Sequence, residues 1–161
     1  AAELSKIKSL TTVTTAPVVQ AVVGGLLLDE GGSLRGMVRE KLPFYRANRD
    51  RMLASLEERL GGVPGVRWNR PEGGFFLTVW LPFELDDECL QACARDYGVI
   101  VCPMSFFALS AGRERQVRLS FSYVTEAQIE EGIERLARFV RDRLAAALEQ
   151  PAAAEQTAAV R

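Results

Sequence analysis

Arg118 is the one charge inside the run VRLSFSYV, residues 117–124. A guanidinium set mid-strand among apolar residues needs a carboxylate or phosphate, because an unpaired buried charge costs several kcal/mol. Its planar fork of donors matches a carboxylate bidentately. The partner is either a glutamate elsewhere in the chain, which pattern alone favours, or a bound ligand. Other chemistry is scarce. The chain has 0 histidines, which removes the Ser-His-Asp and Cys-His nucleophile systems from the chain acting alone. Cys102 follows Val99, Ile100 and Val101, an apolar strand setting that favours an inert, buried thiol. Gly73 and Gly74 follow Pro71 and precede a strand. A nucleotide fingerprint needs strand, glycines and helix in that order, so this pair reads as a tight turn. The carboxylate clusters fall on predicted helix caps and solvated faces, where a structural role is the default.

Size and composition set the outer bounds. At 161 residues and 17.8 kDa the chain fits one domain with appended segments and can bury a core without disulfides or metals. A net charge of −1 gives no nucleic-acid footprint. No apolar run is long enough to span a bilayer, and no basic stretch leads into a cleavable apolar core at the start, so the expected location is the cytoplasm. Three cysteines (Cys89, Cys93, Cys102) without histidine are too few for an ordinary structural zinc site, and no metal is expected. Lys6, Lys8 and Lys41 are the only lysines, which leaves little room for lysine chemistry.

The elements that must position Arg118 follow from periodicity. Residues 1–16 are polar and threonine-rich. Pro17 opens an apolar helix over 18–28, with Gly24-Gly25 in its middle. Leu34, Val38, Leu42, Tyr45, Met52, Leu56 and Leu60 form one helical stripe, and Pro43 forces a kink or a fresh helix start near 39–43. Gly61-Gly62 ends it. Strands are predicted at 66–69, 75–81, 99–102 and 117–123. The second, apolar on both faces, reads as a central strand covered on each side. Asp86 or Asp87 caps a helix that Gly98 stops. Residues 103–116 form a long loop of the kind that is often functional. In the strand 117–123, Val117, Leu119, Phe121 and Tyr123 share one face, while Arg118, Ser120 and Ser122 share the other. Thr125 and Gln128 form a capping box for the last helix, whose buried stripe is Ile129, Ile133, Leu136, Val140 and Leu144. Glu131 with Arg135, and Glu134 with Arg138, are four apart and suited to pair. The fold class is α+β: a small, mainly antiparallel sheet packed under long helices.

Three segments, RPEGGFFLTVWLP, VIVCPMSFF and VRLSFSYVTEAQIEEGIERLARFV, occur in order. Together they resemble the C-terminal portion of class I/II aminotransferases, the pyridoxal-phosphate enzymes of fold type I, over residues 5–148. The resemblance implies amino-group transfer between an amino acid and a 2-oxo acid. Its site residues are implied one by one. Arg118 matches the arginine that grips the substrate α-carboxylate. Gly73 and Gly74 match the glycines before the aromatic strand, near the substrate side chain's path. Pro103 to Phe107 match a proline-centred loop. Substrate contact is therefore expected at Arg118, Gly74, Phe76, Met104 and Phe106, with Phe107 as a further aromatic wall. The family's loop usually reads Pro-Gly where this chain has Pro103-Met104, so Met104 and Phe106 narrow or reshape the pocket.

The same resemblance divides the chain. Residues 1–33 read as a connecting segment and helix from a large domain that lies upstream, 34–150 as the small domain, and 151–161 as a disordered tail. The lysine that carries pyridoxal phosphate, and the residues that hold the cofactor's ring and phosphate, belong to that upstream domain, so no catalytic or cofactor-binding residue is expected in this chain, which alone would be inactive. A homodimer is implied for the whole enzyme. The wording is closest to actinobacterial antibiotic-pathway aminotransferases of the arylglycine type. Alternatives are a pyridoxal-phosphate-dependent amino-acid oxidase of the same fold, or a non-catalytic effector domain of a transcription regulator.

Overall fold

A computed structural model describes residues 2–11 and 16–158, with side chains described over 3–7 and 16–147. The chain divides into two compact units, residues 1–43 and 44–161.

The first unit is helical. Helix α1 spans Ala2–Thr11, where the sequence offered no apolar periodicity. Helix α2 spans Pro17–Asp29 without a break, so Gly24 and Gly25 do not interrupt it. Pro17 stands in its first turn, where a missing N–H has no cost. Gly31 and Gly32 take φ of 63° and 82° and turn the chain, a left-handed conformation that disfavours side chains. Helix α3 is the short Arg35–Arg39. Helix α4 then starts afresh at Leu42 and runs to Leu60, with Pro43 in its first turn, one of the two outcomes expected of that proline.

The second unit is the α+β domain. Four strands, β1 (Arg67–Trp68), β2 (Phe76–Trp80), β3 (Cys102–Pro103) and β4 (Gln116–Ser120), form a sheet in the order β1-β2-β4-β3, every neighbour antiparallel. Helix α5 (Asp87–Tyr97) crosses from β2 toward β3, and helix α6 (Glu126–Ala158) follows β4. Alternation decides which side chains are buried. Leu77 and Val79 from β2, with Val117 and Leu119 from β4, point into the core. There they meet Met52, Leu56 and Leu60 of α4, Cys89 and Cys93 of α5, and Ile129, Ile133, Leu136, Phe139 and Val140 of α6. The other face carries Phe76, Thr78 and Trp80, and only one face of β2 is fully covered within this unit. The expectation of cover on each side is therefore corrected here: the second apolar face of β2 is half-exposed.

The helix ends follow their sequence signals. Asp86 accepts a hydrogen bond from the Cys89 N–H at 2.8 Å, and Gly98 closes α5 at φ 68°. Thr125 and Gln128 cap α6 reciprocally. Arg135 pairs with Glu131 at 2.5 Å as expected, but Glu134 turns instead to Arg59 of α4, tying the two helices together. Helix α6 continues to Ala158, across Pro151 and into the segment 151–161 expected as a tail. Residues 159–161 of that expected tail lie outside the described residues.

All four strands are shorter than expected, and at β3 and β4 this changes what the chain exposes. Only Cys102 and Pro103 of the 99–103 segment pair with β4, and Ile100 is 90% exposed. Strand β4 ends at Ser120, so Phe121 still packs in the core while Tyr123 is 97% exposed. What holds the chain beyond β4 is Asn48 of α4. It is 2% exposed, and its amide donates to the carbonyls of Phe121 at 2.9 Å and Val124 at 2.7 Å. The Phe121 N–H donates in turn to the Phe75 carbonyl at 3.0 Å. Removing the amide strands two carbonyls that have little access to water, so Asn48→Ala is expected to cost about 2 kcal/mol. Urea denaturation checks this, and a change below about 0.5 kcal/mol, the scatter of surface substitutions, contradicts it.

Candidate functional site

Sheet register builds the site around Arg118. On β4 it stands opposite Thr78 of β2 on one side and Cys102 of β3 on the other. Directly opposed residues share a face, so all three lie on the face away from the core. Phe76 lies diagonally across, opposite Ser120. A 3-10 turn, Met104–Phe107, follows β3 and is closed by the Ala108 N–H donating to the Ser105 carbonyl at 3.2 Å. It carries Phe107 back over Arg118.

The guanidinium carbon lies 4.2 Å from the centre of the Phe76 ring and 4.2 Å from that of Phe107. Phe76 reaches it from β2 and Phe107 from the turn after β3, so the two rings approach from the strands on either side of β4. Each such contact is worth about 0.5–1 kcal/mol at an exposed site and more when water is excluded. At its edge, Nη2 stands 4.0 Å from the Cys102 sulfur, a weak contact. Among the described residues no carboxylate pairs with Arg118, although seven ion pairs form elsewhere. The glutamate partner that pattern alone favoured is not there.

Beside Arg118 a cleft of about 300 Å³ opens where residues 99–101 part from β4. Arg118, Phe76 and Cys102 line it together with Met52, Leu119, Ile129, Ile133 and Leu136, which belong to the core side of the sheet, and its walls are largely apolar. Of the residues singled out by sequence, Arg118 and Phe76 meet at this cleft. Gly74, Met104 and Phe106 are not among its lining residues. Gly74 sits in the turn before β2 with φ of 78°, and a β-carbon there would meet nothing within 4 Å. The backbone angle, not crowding, is what asks for glycine. Phe106 points outward at 68% exposure, and Met104 is half-buried.

Sequence reasoning missed Cys102. It is half-buried, not buried, because the segment ahead of it leaves the sheet. The signal was its position opposite Arg118, which needs the register and cannot be read from a run of β-branched residues. Cys89 and Cys93 are buried on α5. Loss of water pushes the Cys93 thiol up to about 11 and raises that of Cys89 as well. Among the described residues no group of three or more His, Cys, Asp or Glu side chains could hold a metal ion, and no helix is long and apolar enough to cross a membrane.

Residues 2–136 match the family described as aminotransferase class I and II. The chain belongs to that family. It is similar to the (S)-3,5-dihydroxyphenylglycine transaminase of Amycolatopsis orientalis, with 44% identity over 142 residues, 88% of this chain and 32% of that enzyme. Among solved structures it resembles the α-aminoadipate aminotransferase LysN of Thermus thermophilus, complexed with N-(5'-phosphopyridoxyl)-L-leucine. The TM-score is 0.68 at 30% identity, over 87% of this chain and 35% of that one. It also resembles a Pyrococcus horikoshii kynurenine aminotransferase, with a TM-score of 0.63 at 38% identity, over 71% and 28% of the two chains. The chain thus spans about a third of the length of these relatives.

The family's cofactor is pyridoxal phosphate. All three lysines, Lys6, Lys8 and Lys41, fall in the first unit, and no residue of the second is assigned to the cofactor. The thiols offer a direct check of this geometry. With an aromatic disulfide reagent at pH 8, Cys102 is expected to react at least about tenfold faster than Cys89 and Cys93, whose thiolate fraction and access are both low. Because the Cys93 thiol rises from 9.0 to about 11 on folding, its contribution to stability is present below pH 9 and is lost as pH climbs from 9 toward 11. Equal reaction rates for the three thiols contradict the placement.

Proposed function

We propose that this chain is the small-domain part of a pyridoxal-phosphate-dependent aminotransferase, and that Arg118 is the clamp for the substrate α-carboxylate. The observation that carries the reading is a half-buried guanidinium with two aromatic flanks and no carboxylate partner among the described residues. A cation kept this way in a folded protein has an open valence for an anion. The planar fork selects a carboxylate, which it binds through two parallel hydrogen bonds. The exposed Phe76 and Phe107 rings beside it suit the side chain of an amino acid with a large or aromatic group. Kinship with a dihydroxyphenylglycine transaminase supports an arylglycine-type substrate. Gly74, Met104 and Phe106 are then the outer boundary of the substrate's path.

When bound, pyridoxal phosphate supplies the electron sink and carries the amino group between the two acids. The residues of this chain bind and orient. Arg118 fixes the carboxylate, and the apolar walls keep water from the reacting end. The lysine that carries the cofactor lies in the remainder of the full-length protein, a cytoplasmic homodimer in this reading. The isolated chain, mixed with pyridoxal phosphate and reduced with borohydride, is expected to show no stoichiometric label on a single lysine. One specifically labelled lysine contradicts the division of labour.

Arg118→Lys keeps a charge and loses the fork. In the full-length protein, kcat/KM is expected to fall on the order of 100-fold or more, roughly 3 kcal/mol of transition-state binding, with little change in melting temperature or cofactor content. Normal turnover by a destabilised Arg118→Lys protein would mean that the arginine serves the fold.

A further inference from the structure

Strand β4 fixes the backbone of Arg118 but not its long side chain. Four torsions separate the α-carbon from the guanidinium, and a flexible cation is a poor template for a planar anion. In most proteins a carboxylate would lock such a side chain. Here the carboxylate partner is lacking, and the sulfur contact at 4.0 Å is too weak to do it. The two rings remain.

They come from different kinds of support. Phe76 is carried on β2, which pairs with β4 along its whole length from Phe76↔Ser120 to Trp80↔Gln116. Phe107 is carried on the 3-10 turn, held to the sheet through the pairing of Pro103 with Val117. Phe107 is 55% exposed and Phe76 41%, so neither ring is placed there chiefly to fill the core. An aromatic ring left half in water gains little from burial, yet both are centred 4.2 Å from the same guanidinium carbon. The rings contact the guanidinium without using up its N–H donors, and among the described residues no carboxylate takes them.

We propose that Phe107, with Phe76, is a positioning residue that holds the Arg118 guanidinium ready for the carboxylate, so that the turn Met104–Phe107 sets the affinity for both the amino acid and the oxo acid. This rests on the carboxylate-clamp reading of Arg118. Both substrates carry the same α-carboxylate, so both must feel the loss of a ring. The chemical step, directed by groups elsewhere, must not.

The test is a double-mutant cycle in the full-length protein, with Phe107→Leu, Phe107→Tyr and Arg118→Gln singly, and Phe107→Leu combined with Arg118→Gln. Phe107→Leu keeps an apolar side chain and removes the ring face. It is expected to raise KM for the amino donor and for the oxo acid about tenfold each, with kcat changed less than twofold. Phe107→Tyr is expected to stay within twofold of the parent on both. In the Arg118→Gln background, Phe107→Leu is expected to change kcat/KM less than twofold, because no cation is left to hold. A loss of equal size in both backgrounds, a loss confined to kcat, an unchanged KM, or a Phe107→Leu protein that fails to fold each overturns the inference. The clamp reading fails separately. If Arg118→Gln leaves kcat/KM unchanged, the clamp itself is wrong. If Arg118→Gln is severe while Phe107→Leu is silent, only the positioning role of the ring falls.

Discussion

The guanidinium of Arg118 is held partly out of water by two aromatic rings, with no counter-ion among the described residues, and the sheet fixes where that side chain stands. A partly desolvated cation without a counter-ion is tolerable only if its surroundings compensate the lost hydration. Ring faces do this, because their quadrupole attracts the cation while leaving the N–H donors unspent. A carboxylate from the chain would have satisfied the arginine more fully and closed it to any ligand. The seven ion pairs seen among the described residues leave Arg118 out.

The supporting elements fix where the side chain stands. Period-two alternation turns Val117 and Leu119 into the core and leaves Arg118 on the far face. Pairing along β2 brings Phe76 to the diagonal position, and the short β3 brings Cys102 opposite and launches the turn that bears Phe107. Asn48, from a helix on the core side, clasps the chain just after β4 through two carbonyls. The arginine is thus set by the packed side of the sheet and stands on the other side.

Much of this was legible in the sequence, for identifiable reasons. Helices α5 and α6 announce themselves by caps at Asp86, Gly98, Thr125 and Gln128, which are local chemistry. The alternation around Arg118 is local too, and motif order carried the family. What stayed hidden depends on partners distant in sequence. Cys102 was read as buried because β-branched neighbours signal a strand, yet only two residues of that strand pair. Glu134 was expected to meet Arg138 one turn away, and instead meets Arg59, which a helix pattern cannot reveal. Asn48 sits in an apolar stripe with nothing to mark its role until its two carbonyl acceptors are in place. The outer face of β2 was read as covered because Phe76 and Trp80 are apolar, but within this unit Phe76 instead covers a cation.

The most direct measurement is a crystal structure of the full-length protein with a substrate-like carboxylate bound. The expected result is a bidentate pair, both carboxylate oxygens within about 2.7–2.9 Å of Arg118 nitrogens, with the Phe76 and Phe107 rings still flanking the guanidinium. An Arg118 found paired with an aspartate or glutamate of the protein, with the ligand's carboxylate bound elsewhere, would contradict the central claim.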